Sequence, residues 1–183
     1  MYIAEQLKKK SIAEYLLYMW QVEDTVRAYG LDAERMAKEY IPQFGLDTEK
    51  SEELKGWYEH LIEMMREEDV TKKGHLQVNK NIIILLTDLH AQLLKSSKHP
   101  FYSAAYYKAL PFIVELRAKS AESQEKNEIE NCFDALYGVM LLRMQKKEVS
   151  AETATAMDHI TKFVGMLSEY YKKDKEGDRK SVV

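Results

Sequence analysis

Residues 15–27 read YLLYMWQVEDTVR, a stretch with helical spacing that is apolar around most of its girth and yet carries Gln21, Glu23, Asp24 and Arg27. A helix so apolar belongs in the interior, and polar groups on an interior helix need partners, because stripping them of water is costly. Everything around this helix is read by asking what would cover it and what would meet its charges.

Working outward, Ser11 can cap the amide of Glu14 while Glu14 reaches back, forming a capping box that starts the helix. Gly30 marks its end. The phrase Gly30-Leu31-Asp32-Ala33-Glu34 returns as Gly45-Leu46-Asp47-Thr48-Glu49. In each copy Gly suits a left-handed helix end, Leu a staple, Asp a cap and Glu the positive end of the next helix. The two corners frame a short helix over about 33–40, which Pro42 stops. Further helices are predicted over about 49–68, 76–95, 99–119, 123–147 and 151–173. Their apolar residues recur at three and four residue steps, as in Met157, Ile160, Val164, Leu167 and Tyr171. Pro100 suits a first helical position, whereas Pro111 is expected to kink or split its helix. The IIILL run at 82–86 leaves little room for a solvated face, which sets that helix in the core beside the first one. The reading is all-α, with one domain over 1–173 built as an antiparallel bundle of about six to seven helices. A charged tail over 174–183 is expected to fray.

Composition narrows the function classes. The scarcity of Gly (7) and Pro (3) favours long helices over many strands and turns. A formal net charge of -3 provides no overall attraction for a phosphate backbone, and most of the lysine clusters fall at helix ends or in loops, so no nucleic-acid partner is expected. The longest apolar runs fall far short of the roughly 20 residues a bilayer needs, and the N-terminus does not read as a signal peptide, so no membrane association is expected. Cys132 is the only cysteine, which excludes an internal disulfide and points to a reducing, cytoplasmic setting.

No reaction motif emerges. The residues three before His60, His75, His90, His99 and His159 are Trp57, Lys72, Thr87, Ser96 and Ala156, so the Glu-x-x-His signature of a di-metal bundle is missing. H-E-x-x-H, His-Asp, phosphate-loop and serine-elbow patterns are missing too. The acid pairs among Glu49, Glu52, Glu53, Glu125, Glu128 and Glu130 lie mostly near helix starts, where the dipole explains them. No metal and no cofactor are expected, and Cys132 reads as a small buried hydrophobe.

Two places remain where function could reside. His90 follows Ile83 and Leu86 on an apolar stripe and reads as a core histidine or a pocket residue. On the opening helix, Glu23 and Arg27 stand four apart and can pair, while Trp20, Asp24 and Arg27 share a face. The plain reading is an ion pair where the helix leaves the core; the functional one is a polar pocket or interface. Candidate ligand-binding or interface residues are therefore Trp20, Glu23, Asp24, Arg27 and His90.

The segment SIAEYLLYMWQVEDTVRAYGLDAERM, residues 11–36, together with the chain length, resembles an uncharacterised family of small all-helical proteins from Bacteroidetes, a domain of unknown function. That resemblance spans nearly the whole chain and implies a bacterial cytoplasmic protein, with no activity to transfer. The surplus of apolar and aromatic positions, twelve tyrosines among them, favours a non-enzymatic helical interaction module that forms a homo-oligomer. No other protein partner can be named. The alternative is a small-ligand binder or hydrolase with a polar site between the first and fourth predicted helices, formed by Glu23, Asp24, Arg27 and His90.

Overall fold

The opening stretch forms α2 (Ile12–Ala28), and its apolar girth is explained by two cores that share it as a common wall. A computed structural model describes residues 2–181, with side chains over 3–177. One side of α2, with Ile12, Ala13, Leu16 and Trp20, faces a first core built with α5 (Gln77–Lys95), α6 (Pro100–Ala118), α8 (Glu128–Met144) and α9 (Ala151–Ser181). The other side, with Met19, Val22 and Val26, faces a second core. That core takes Ala4 of α1 (Tyr2–Lys10), Met36 of α3 (Ala33–Glu39), and Leu54, Tyr58, Leu61, Ile62 and Met65 of α4 (Thr48–Glu67). Ile41, which follows α3, and Val70 and Leu76, on the connection from α4 to α5, complete it.

Nine α-helices and one 3-10 turn (Ile41–Phe44) are present among the described residues, more than the six to seven expected, and no strand is among them. The additional helices are α1, divided from α2 by Ser11 alone, and α7 (Ala121–Glu125), which the extended backbone of Lys126 and Asn127 separates from α8. No helix among the described residues is long and apolar enough to cross a membrane.

Local chemistry accounts for most of the helix boundaries. Ser11 Oγ accepts from the Glu14 amide (3.3 Å), but the Glu14 carboxylate pairs with Lys10 instead of returning to the cap. Asp32 caps α3 through the Arg35 amide (3.0 Å) and Asp47 caps α4 through Lys50 (2.9 Å). Both repeated corners are turned by left-handed glycines, Gly30 at φ 72° and Gly45 at φ 61°. Ser150 Oγ accepts from the Thr153 amide at the start of α9 (3.1 Å).

Three expectations are revised. α6 runs as one helix through Pro111, which lies on its exposed side, where a missing backbone N–H and a local adjustment need no repacking of the core. α9 continues helically to Ser181, through most of the 174–183 stretch expected to fray, of which residues 182–183 lie outside the described residues; its residues 172–177 are exposed. The IIILL run of α5 is only half enclosed: Ile82, Ile83 and Leu86 are buried, but Ile84 is 53% and Leu85 45% exposed. Burial follows the helical period, and two of five consecutive residues must face away from a one-sided neighbour.

Lys146 closes α8 in the left-handed region at φ 56°, with the Lys147 amide donating to the Leu142 carbonyl (2.9 Å). An L-residue there costs about 1–2 kcal/mol, and glycine relieves that cost while losing about 0.4–1 kcal/mol through its looser unfolded chain. Lys146→Gly is therefore expected to raise stability by up to about 1 kcal/mol, read as a higher thermal midpoint. A lower midpoint would contradict this account of the α8 end.

Candidate functional site

The charges of α2 gather around the connection between α4 and α5. Glu23 is fully buried and is met by three donors. Its Oε1 accepts from the Leu76 amide (3.0 Å) and from Asn79 Nδ2 (2.7 Å), and its Oε2 accepts from His75 Nδ1 (2.6 Å). Leu76 has no side-chain cap to offer α5, so the Glu23 carboxylate supplies an anionic cap from a neighbouring helix. The Gln77 amide is met separately by Glu68 (2.6 Å).

The expected Glu23 to Arg27 pair does not form. Arg27 turns to Asp24, Nη1 to Oδ1 at 2.7 Å, and its other donors reach the carbonyls of Val70 (2.9 Å) and Gly74. A planar guanidinium with five donors can hold two backbone carbonyls and a carboxylate at once, which a point-charge ammonium could not do in this geometry. Asp24 Oδ2 in turn accepts from the Tyr137 hydroxyl of α8 (2.6 Å). Burial raises the pKa of that phenol, and its hydrogen bond to the Asp24 carboxylate raises it further.

Trp20 is the apolar floor of this cluster. Its indole lies parallel to the His75 imidazole, with centroids 4.0 Å apart and planes at 10°, and it meets Phe133 and Tyr137 edge-on. Beside Trp20 and His75 opens a groove of about 220 Å³, bordered also by Asn79, Ile83 and Glu130. Asn79 Oδ1, whose amide nitrogen is the atom bonded to Glu23, is buried with no hydrogen-bond partner among the described residues, a deficit worth about 1–3 kcal/mol.

His90 does not join this group. It lies on α5 eleven residues beyond Asn79, about 16 Å along the helix. Its Nδ1 shares a 2.6 Å hydrogen bond with the buried Tyr102 hydroxyl, and Tyr106 and Phe163 pack against the ring. Burial lowers its pKa, which the charge of Glu128 partly opposes. Trp20, Glu23, Asp24 and Arg27 thus converge, and the histidine that meets them is His75. The sequence carries a trace of the missing partners: stepping back from Ile83 by four along the apolar stripe of α5 lands on Asn79, a polar residue at a buried position. Among the described residues no three His, Cys, Asp or Glu side chains gather as a metal site.

A second surface stands out on α6. Tyr102, Tyr106, Ala109 and Ile113 face the core, while the opposite side is also apolar: Phe101 is 81% exposed, Tyr107 62% and Val114 58%, with Ala104, Pro111 and Ala118 exposed between and after them.

Removing the Glu23 carboxylate would orphan three donors at once, so Glu23→Ala is expected to lower unfolding stability by about 3 kcal/mol or more in urea denaturation. A loss within about 0.5 kcal/mol, the range of an ordinary surface substitution, would show that the cap is dispensable. His90 makes a prediction of opposite locality. With its folded pKa below the ordinary value of 6.5, its contribution is fully present above that pH and is lost as the pH falls below it, because the unfolded chain takes up the proton first. His90→Gln should flatten the fall in stability below pH 6.5, and an identical pH profile in both proteins would exclude this linkage.

The chain matches no curated protein and no solved structure. A family model described as Domain of unknown function (DUF4924) matches residues 1–178. The apolar helix with its enclosed carboxylate and the paired Gly-Leu-Asp corners all lie within that match, and the chain belongs to this family of unknown function.

Proposed function

We propose that this protein is a non-enzymatic helical interaction module, an antiparallel bundle that pairs with a second copy of itself through the outward face of α6. The observation that carries the reading is the second apolar stripe on that helix. Ala104, Tyr107, Pro111, Val114 and Ala118 follow one another at steps of three, four, three and four, the spacing of a helix-pairing seam. The stripe runs about 21 Å along the surface, opposite the residues that face the core. Exposing so much contiguous apolar side chain is unfavourable unless something covers it.

Charge placement favours a second copy as the occupant. Lys108 and Glu115 are both exposed, stand seven residues apart, and flank the same edge of the stripe. In an antiparallel pair such equivalent flanking positions face each other. A two-fold axis between residues 111 and 112 sets each Lys108 opposite the other copy's Glu115, giving two ion pairs from one contact. A bacterial, cytoplasmic setting goes with this reading, supported by a single cysteine that is free and buried.

Sedimentation or light scattering across micromolar to millimolar concentrations tests the proposal. The parent chain is expected to be a dimer. Val114→Glu should weaken it about tenfold or more, with helicity unchanged. Lys108→Glu should also weaken it, and adding Glu115→Lys should restore it. A parent chain that stays monomeric throughout, or a dimer indifferent to these substitutions, overturns the proposal.

A further inference from the structure

Where α9 passes the junction of α1 and α2, a cleft of about 520 Å³ opens with five lysines on its walls. Lys8, Lys9 and Lys10 close α1, a helix end that favours cations, while Lys172 and Lys175 come from α9. Because α9 runs on to Ser181, the dipole of its last turn does not account for that second pair. Only Glu5 and Glu176 bring negative charge to the lining, which leaves a surplus of three positive charges in a chain whose formal net charge is -3. The two walls are fixed against each other by Ser168, one turn before Lys172. Its buried hydroxyl accepts from the Ala13 amide (3.3 Å) and shares a 3.0 Å hydrogen bond with Ser11.

Among the described residues, Lys10 alone of the five is ion-paired, with Glu14 at 3.2 Å. Lys8 Nζ lies 5.4 Å from the centroid of the Tyr15 ring and Lys175 Nζ 5.7 Å from that of Tyr171. Such contacts hold a long side chain to its wall without neutralising it. Ammonium groups crowded into one cleft repel one another, and an anion among them relieves that repulsion. Lysine binds phosphate as a point charge, whereas a planar carboxylate is better met by a guanidinium fork, and no arginine borders the cleft among the described residues. A phosphate monoester carries about 1.5 to 2 negative charges near pH 7, so two such groups answer a surplus of three. The volume corresponds to roughly seventeen water-sized groups, room for a small molecule.

We propose that this cleft binds a small soluble anion carrying two phosphate groups, held between Lys8 and Lys9 of α1 and Lys172 and Lys175 of α9. Ser168 is a positioning residue that keeps the two walls at their spacing. Phosphate also occurs on lipid headgroups, but a recessed site with lysines on facing walls encloses a solute, whereas a bilayer needs an outward basic face. α6 contributes nothing to the lining, so the site stands apart from self-association.

Calorimetric titration of the full chain at about 0.15 M salt, where the Debye length is about 8 Å and diffuse attraction is screened, tests the site. Inorganic pyrophosphate is compared with inorganic phosphate and with citrate, which offers several negative charges as carboxylates. The expected result is saturable binding of one pyrophosphate per chain, with the other two anions about tenfold or more weaker. Lys9→Gln combined with Lys172→Gln removes one charge from each wall at exposed positions and should weaken pyrophosphate about tenfold or more at unchanged helicity. Lys72→Gln combined with Lys73→Gln removes the same charge from the exposed connection between α4 and α5 and should change the affinity less than about twofold. No saturable binding of pyrophosphate, equal affinity for citrate, or equal losses in the two double variants overturns the proposal. Cosedimentation with vesicles of phosphatidylglycerol and phosphatidylcholine distinguishes the lipid source: capture by vesicles without binding of pyrophosphate assigns the lysines to a membrane surface and overturns it as well. The comparison of anions on the parent chain decides the matter even where a variant folds poorly.

Discussion

A carboxylate closed off from water has to be surrounded by donors, and at Glu23 all of them come from residues 75–79, the few residues that begin α5. That requirement ties the start of α5 to one position on α2. Because α2 is the wall between the two cores, the same contact relates the α4 side of the molecule to the α5 side. Arg27 holds the preceding residues through the Val70 and Gly74 carbonyls, so the whole connection between α4 and α5 is fastened to a single helix face. The polar residues of an apolar helix are thus the means by which its two neighbours are brought into register.

The contrast between α2 and α6 shows what composition can and cannot decide. Both are apolar around much of their girth. α2 is sandwiched, so both of its apolar sides are buried; α6 packs closely on α9 and α8 by one side and leaves the other bare. The free energy of an apolar residue depends on the area its neighbours take from water, and that area is a property of arrangement rather than of the helix itself. The half-exposed IIILL run of α5 follows the same rule.

Helix ends were largely legible because they are governed within a few residues. Ser11, Asp32, Asp47 and Ser150 all cap through an amide three positions on, a geometry that any chain reaches locally. The division of the predicted 123–147 helix by Lys126 and Asn127 was not read, although Asn127 is itself an ordinary capping residue. The candidate site was legible in part. Trp20, Glu23, Asp24 and Arg27 stood out as polar or aromatic residues on one face of an interior helix. Most of their partners lie more than forty residues away, and the pair suggested by the Glu23 to Arg27 spacing is divided by the fold, Glu23 meeting His75 and Arg27 meeting Asp24 on the same helix.

The chain alone settles the helical class, most helix starts, and the fact that one apolar helix carries charges that must be answered. Periodicity and capping are short-range, and each operates within a turn or two of helix. Which histidine answers Glu23, which loop Arg27 clamps, and which apolar faces remain open to solvent are decided only when α2 is enclosed by α4, α5 and α8. Those outcomes depend on distances between segments far apart in the chain, and a buried charge selects among them because leaving it unmet costs more than almost any alternative packing.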